Sequence, residues 1–261
     1  MWQTNFLKMH MNIINKFFER LSRLFKCFVS RNYTLHHRYQ NKNQITNAEL
    51  ILDLLKRKNF IPEYIIDIGC GYGQWTKKLL KFYPSSRYLL FDADKNNIEK
   101  LNVLKNKYNN VSYKICLLSD DNKSYKFYNM GYGSSIFEEQ TSHKRKVVEI
   151  SSTTLNQELP PELNYHTNNL IKLDVQGAEL KVLDGLKETV NSFEVIILEV
   201  SLHNYSKDSP LFNNVMIYMD NKGFRLYDLF DLKRLGNNES FLVQFDCVFV
   251  RNNSDLLKVK F

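Results

Sequence analysis

One stretch constrains this chain more than any other: Ile65-Ile66-Asp67-Ile68-Gly69-Cys70-Gly71-Tyr72-Gly73. It holds three of the nine glycines in 261 residues. An apolar run breaks off into alternating glycines, and a helix-patterned segment, Gln74 to Phe82, follows. Glycine lets the backbone turn sharply and bring its N–H groups close to a ligand without a Cβ in the way. The helix start behind it favours a negatively charged group. A strand, glycine loop and helix in this order open a nucleotide-binding α/β domain. The dinucleotide fingerprint Gly-x-Gly-x-x-Gly places its third glycine at position 74, which is Gln74 here, so the loop follows a different pattern. Its candidate ligand-binding residues are Asp67, Gly69, Cys70, Gly71 and Gly73.

The length allows one large domain, or one domain with an extension. Charge divides the chain. Residues 1–45 carry Lys8, Lys16, Arg20, Arg23, Lys26, Arg31, Arg38 and Lys42 against Glu19, a net of +7 out of +8 for the whole chain. A protein that grips nucleic acid along its catalytic face puts basic charge in its body, and this body, 46–261, carries only +1. No nucleic-acid partner is therefore expected. Cys27, Cys70, Cys116 and Cys247 form no Cys-x-x-Cys pair, which argues against a zinc ribbon or a disulfide framework and suits a reducing cytosol. Residues 11–30 read as an amphipathic helix, with Ile13, Ile14, Phe17, Phe18, Leu21, Leu24, Phe25 and Phe28 at helical spacing and basic residues between them. Such a helix either covers its own domain or lies on an anionic membrane surface. The expected location is cytoplasmic, with peripheral contact at the inner face of the membrane as the second possibility.

In the body, Thr46-Asn47-Ala48-Glu49 has capping-box spacing before an apolar helix. Tyr88-Leu89-Leu90-Phe91 predicts a buried parallel strand ending at Asp92, 23 residues after Gly69. An acid there can accept hydrogen bonds from both ribose hydroxyls of an adenosine; Asp94 suits the cap of the next helix. Val111 to Leu118 predicts a third strand. At its end Ser119 and Asp120 are candidates for holding an adenine ring, or simply turn residues. Two strands, Ser124 to Met130 and Lys146 to Ile150, predict an inserted hairpin-like element at about 122–160 on the substrate side. Leu170 to Val175 predicts the fourth core strand, Leu180 to Val190 a helix, and Val195 to Val200 the fifth strand.

Lys172 within that fourth strand needs a partner, and Glu199 on the adjacent strand is one candidate. Asp174 sits at the strand's carboxyl end, where ligands bind in open α/β sheets. It is the first candidate catalytic group; the other reading is an ion pair with Lys172 or a helix cap. His203 is the second candidate, because an imidazole titrates near neutrality, or else it is a surface loop residue. No metal cluster is apparent.

The pattern Asp67-x-Gly69-x-Gly71-x-Gly73 resembles motif I of the class I S-adenosylmethionine (SAM) methyltransferases. Leu170-Ile171-Lys172-Leu173-Asp174-Val175-Gln176-Gly177-Ala178-Glu179, followed by Val182-Leu183-Asp184-Gly185, resembles the hallmark of the FkbM-type members of that class. Phe91-Asp92-Ala93-Asp94, Ser134-Ser135, Thr154-Leu155 and Ile197-Leu198-Glu199 also fit. The resemblance covers about residues 60 to 230. Three positions depart from the family pattern: Gln176 stands where Glu is usual, Asn156 where Asp is common, and Ala93 where proline is. Gln176 keeps the size and the hydrogen bonding and loses the charge.

The resemblance implies a Rossmann-like class I methyltransferase sheet with helices on both faces, to which the residues themselves add the inserted element and the N-terminal helix. It implies SAM as cofactor, and Lys172, Gln176, Glu179 and Glu199 at the site in substrate or structural roles. It also implies an O-methyltransferase whose acceptor is a sugar hydroxyl in a glycan, or a secondary metabolite. A nucleic-acid amino-methyltransferase would show an Asn/Asp-Pro-Pro-aromatic motif after strand four, and Asp174-Val175-Gln176-Gly177 is not that motif. A non-catalytic module attached through the basic arm is the alternative from another class.

Overall fold

The computed structural model describes residues 47–258 apart from 132, 139–143, 166, 204–205, 207 and 236–239. The helix predicted over 11–30 lies outside the described residues. Helix α1 (Asn47–Arg57) precedes β1 (Tyr64–Ile68), α2 (Gln74–Phe82), β2 (Arg87–Asp92), α3 (Ile98–Lys107) and β3 (Val111–Ile115). A second group follows: β4 (Leu117–Ser119), β5 (Ser124–Asn129), β6 (Lys146–Thr154) and the short α4 (Leu155–Glu158). The chain then returns through β7 (Asn169–Leu173), α5 (Glu179–Asp184), β8 (Phe193–Ser201), α6 (Phe212–Asn221), β9 (Phe224–Leu235) and β10 (Phe241–Arg251).

Seven strands form one sheet in the order β3-β2-β1-β7-β8-β10-β9. The first five are parallel, and β10 runs antiparallel to β8 and to β9. The order reverses between β1 and β7, which opens a crevice at the carboxyl ends of the strands. Every residue of β1 and of β7 is buried, as expected for parallel strands covered on both faces. Alternation sends Ile66, Ile68, Ile171 and Leu173 into one apolar layer with Val182 and Leu183 of α5 and Val215 and Met219 of α6. Ile65, Leu170 and Val195 enter the other, with Leu52 and Leu55 of α1, Leu79 of α2 and Leu101 of α3. Among the described residues no helix is long and apolar enough to cross a membrane.

Two elements differ from the sequence expectation. The third strand is two strands. Cys116 N–H still donates to Asp92 O at 2.9 Å, but β2 ends there, and the continuing chain pairs in parallel with Ser152–Thr154 instead. Thus β4 belongs to a separate three-stranded sheet, β4-β6-β5, in which β5 and β6 form the expected antiparallel pair. The helix predicted over 180–190 stops at Asp184 and is followed by a 3₁₀ run, Lys187–Ser192. Lys187 adopts a left-handed φ of 53° between them.

Gly185 ends α5 directly against the inserted sheet: a Cβ there would lie 2.3 Å from Ser119 O. Overfilling such a contact costs about 1–3 kcal/mol. Gly185→Ala is therefore expected to lower the free energy of urea unfolding by about 2 kcal/mol; an unchanged midpoint would show that β4 does not pack on this turn.

Candidate active site

The glycine loop is held by geometry at three points. Gly69, Gly71 and Gly73 have φ of 71°, 54° and 74°, a region costly for residues with a Cβ. A Cβ at Gly69 would sit 1.9 Å from Asp174 O, and one at Gly73 would sit 2.6 Å from Leu104, while at Gly71 nothing lies within 4 Å. So Gly69 lets β1 and β7 end side by side, Gly73 lets α3 close on the loop, and Gly71 leaves space. The loop amides are largely used internally. Gly69 and Cys70 N–H donate to Phe91 O at 2.9 and 3.1 Å, and Gly73 N–H to Cys70 O at 2.8 Å. Gly71 N–H donates to Asp92 Oδ2 at 2.7 Å. What faces the cleft is the start of α2, where Gly73 occupies the cap position and no side chain caps the helix.

Asp92 ends β2 and lines the same cleft. Its Oδ1 accepts from Asp94 N–H at 2.8 Å and from Asn97 Nδ2 at 3.2 Å. Burial raises its pKa against these bonds. Asp94 caps the 3₁₀ turn before α3, accepting from Asn96 N–H at 3.0 Å. A carboxylate oxygen has two lone pairs, so Oδ2 of Asp92 keeps accepting capacity beyond its bond to Gly71, and that bond ties the end of β2 to the loop.

The cleft floor is built on β1, β7, β8 and β10. Asp67 and Lys172 are register partners on β1 and β7, and both are buried. Asp67 accepts from the Thr76 hydroxyl at 2.5 Å. Burial pushes its carboxyl up to about 6, opposed by the Lys172 ammonium. Lys172 Nζ donates to Asp174 Oδ2 at 2.8 Å and stands 5.5 Å from the centre of the Trp75 ring. Burial works against its charge, but Asp174, Asp246 and Asp67 together hold its pKa above the usual lysine range. Of the two partners open to Lys172 from sequence, the ion pair is with Asp174. Burial alone would raise the Asp174 carboxyl; Lys172, together with Lys233 and the Gln176 amide, outweighs it and holds that carboxyl below its ordinary value.

Gln176 takes a left-handed φ of 54°, and its side-chain amide bridges two acids. Nε2 donates to Asp174 Oδ1 at 2.8 Å and to Glu199 Oε2 at 2.6 Å. An ionised Glu in that place would have no proton for either. Glu199 also ion-pairs with Lys233 of β9, and burial followed by Asp174 raises its carboxyl. Glu179 is buried and accepts from Val175 N–H at 2.9 Å and Gly177 N–H at 3.2 Å. It fastens the turn after β7, and burial lifts it to about 8.

Three candidates stand away from the cleft. Ser119 is buried beneath Gly185, and Asp120 pairs with Lys181 at 3.1 Å; Cys116, Leu117 and Leu118 line the cleft instead, because the chain leaves the main sheet at Cys116. His203 is exposed in the turn after β8 and does not line the cleft. Sequence reasoning missed Asp231, Lys233, Gln244 and Asp246, which β9 and β10 bring to the cleft. The insert adds Phe127, Asn129 and the segment Gly133–Ile136 as a wall, fastened by Ser135 Oγ donating to Gln176 O at 2.8 Å. The cleft measures about 970 Å³, at the upper end of the ~300–1,000 Å³ of ligand pockets. Among the described residues no group of three or more His, Cys, Asp and Glu could hold a metal ion.

A parallel sheet reversing beside a glycine loop, with an acid ending the second strand and antiparallel strands closing one edge, defines a class I SAM-dependent methyltransferase. The family model of the methyltransferase FkbM domain matches residues 67–226. The chain belongs to that family and is a SAM-dependent methyltransferase. No curated protein matches it. Similar solved structures include precorrin-6y C5,15-methyltransferase from Geobacter metallireducens GS-15, at 12% identity over 78% of this chain and 86% of that one, TM-score 0.45. Another is magnesium protoporphyrin IX methyltransferase (ChlM) from Synechocystis PCC 6803 with bound SAM, at 10% identity over 88% and 96%, TM-score 0.44. A third is an S-adenosylmethionine-dependent methyltransferase from Clostridium acetobutylicum ATCC 824, at 10% over 85% and 99%, TM-score 0.46. Likenesses this distant say nothing about the acceptor.

Two outcomes are expected of the floor. Asp67, Asp246 and Glu179 hold protons up to about 6, 7 and 8, whereas unfolded carboxyls release theirs near ~4. The folded chain binds more protons in that window, so its stability falls as pH rises through it; the depressed Asp174 acts oppositely, losing its contribution only in acid. Urea unfolding should give a larger free energy at pH ~5.5 than at ~8, with a smaller difference in Asp67→Asn; a flat profile would count against the raised carboxyls. Lys172→Met should cost about 3–5 kcal/mol, as when one partner of a buried ion pair is removed, and more at alkaline than at acid pH. A loss under about 1 kcal/mol would mean the acids do not depend on this cation.

Proposed function

We propose that the chain is an O-methyltransferase that moves the methyl group of SAM to a hydroxyl of a sugar in a surface glycan or polysaccharide. The observation that carries this reading is the lining of the cleft beyond Gln176. Asn129, Ser134, Ser201, Ser206, Asp231 and Gln244 offer donors and acceptors around the wall, and Phe127 offers an apolar face. A polyhydroxylated acceptor offers such groups many further hydrogen-bond partners, whereas a flat aromatic metabolite offers few. The resemblance of residues 170–185 to the FkbM hallmark supports the same acceptor class.

The nucleotide side fits the cofactor. Trp75 Nε1 is a buried donor without a hydrogen-bond partner in a side chain that lines the cleft, beside the uncapped start of α2. Together they suit the carboxylate of the methionine part. Asp92 would accept from the ribose hydroxyls, with Gly69, Cys70 and Gly71 lining the same cleft. When bound, SAM supplies an electrophilic methyl on a sulfonium. The remaining work is alignment of acceptor oxygen, methyl and sulfur, which is positioning. Asp174, with both oxygens engaged and its pKa depressed, is suited to positioning Lys172 and Gln176 rather than to taking a proton. The basic arm, through residues 11–30, is proposed as a contact with an anionic membrane surface, where lipid-linked acceptors would be met.

Calorimetry should show SAM binding, and Asp92→Ala should weaken it by about tenfold or more, one lost charge-assisted contact; unchanged affinity would remove Asp92 from the site. Labelled methyl from SAM should appear on a hydroxyl among nucleotide-sugars, polysaccharides and lipid-linked glycans; transfer to a nitrogen or carbon would overturn the hydroxyl reading. Deleting residues 1–40 should abolish co-sedimentation with anionic vesicles while soluble activity persists. Retained co-sedimentation would exclude the arm as anchor.

A further inference from the structure

A sugar hydroxyl is a weak nucleophile, and its methylation needs a group to take the proton. Four acids form the cleft floor, and three are already engaged. Asp67 holds Thr76, Asp174 holds Lys172 and Gln176, and Glu199 holds Lys233 and Gln176. The fourth is Asp246 of β10, in register with Glu199 on one side and Phe230 on the other. It is 8% exposed and lines the cleft, and its carboxylate makes no hydrogen bond to the described residues. The charged groups facing it are Lys172 from β7, Asp174 just beyond it, Glu199 from β8, and Asp231 and Lys233 from β9. A buried carboxylate with unengaged oxygens on a ligand cleft is costly unless a ligand group uses it.

On this geometry we infer that Asp246 is the catalytic base, taking the proton of the acceptor hydroxyl during methyl transfer. The inference rests on the proposed hydroxyl acceptor. The acceptor oxygen forms a bond to the methyl carbon with its lone pair. The carbon–sulfur bond breaks with its electrons going to sulfur, which becomes a neutral thioether. The hydroxyl proton passes to Asp246, which becomes a neutral acid and returns the proton to water through the open cleft. Burial, partly offset by Lys172 and reinforced by Asp174, Glu199 and Asp231, lifts its carboxyl to about 7, which suits a base working near neutrality.

The test uses the full chain, SAM, and the hydroxylated acceptor identified by the methyl-transfer panel. Wild-type kcat/KM should fall as pH drops below about 7, where Asp246 takes up a proton. Asp246→Asn should bind SAM within about threefold of wild type, lose between about 100-fold and 10,000-fold in kcat, and lack that acid limb. Asp246→Glu should recover part of the loss with a shifted limb. An Asp246→Asn enzyme within about threefold of wild type in kcat, with the same limb, overturns the inference. If Asp246→Asn fails to fold or to bind SAM, Asp246→Glu decides: a limb unchanged from wild type overturns it, and a moved limb supports it. A wild type that binds SAM but transfers no methyl to any hydroxyl overturns the hydroxyl reading and the base with it. Loss in Asp246→Asn alone leaves both standing.

Discussion

Lys172 lies beneath the cleft on the central strand β7, buried among carboxylates from β1, from the turn after β7, and from β10. A buried ammonium is tolerated only with partners, and buried carboxylates only with a cation. Each strand end therefore depends on the others. Asp67 is held ionisable at the first strand, Asp174 is drawn onto the ammonium at 2.8 Å, and Asp246 feels it from the far side of β8. Trp75, stacked on the same ammonium, carries the link into α2 and the nucleotide side. One buried ammonium thus links β1, the turn after β7, β10 and α2.

Gln176 makes the same arrangement work at the turn. Its left-handed backbone aims the amide into the gap between Asp174 and Glu199. Two donors on one nitrogen meet two acids, so the departure from the usual Glu is consistent with how this floor is neutralised. Glu179, fastening the amides of Val175 and Gly177, keeps that turn in place from below. Together these residues keep several acids close at modest net charge, and leave Asp246 the least committed of them.

Much of the nucleotide side was legible because it is local in sequence. The strand, glycine loop and helix of 64–82, the acid at Asp92 and the cap at Asp94 are each set by neighbours a few residues away. The floor built by β8, β9 and β10 is assembled from distant segments. Lys233 and Asp246 reach Glu199 only through antiparallel pairing of β9 and β10, and nothing in their own windows marks them. The segment Val111 to Leu118 gave no sign that the chain would change sheets at Cys116, because its new partner, Ser152–Thr154, is distant in sequence; that change carries Ser119 and Asp120 away from the cleft. Likewise the apolar pattern after Leu180 continued past Gly185, whereas the helix ends at Asp184, with Gly185 close against Ser119 O.

The inserted sheet leaves the body after Cys116 and rejoins it at Leu155. It meets the turn after β7 through Ser135 on Gln176 O and through Phe137 beside Gly177. Such an attachment makes the insert an exchangeable part. Its wall residues reach the cleft from a segment separate from the loop at Gly69 and the acid at Asp92. Any replacement of residues 122–160 would therefore have to keep Ser135, which closes on Gln176 O, and pack against the glycine at 177, which lies outside it.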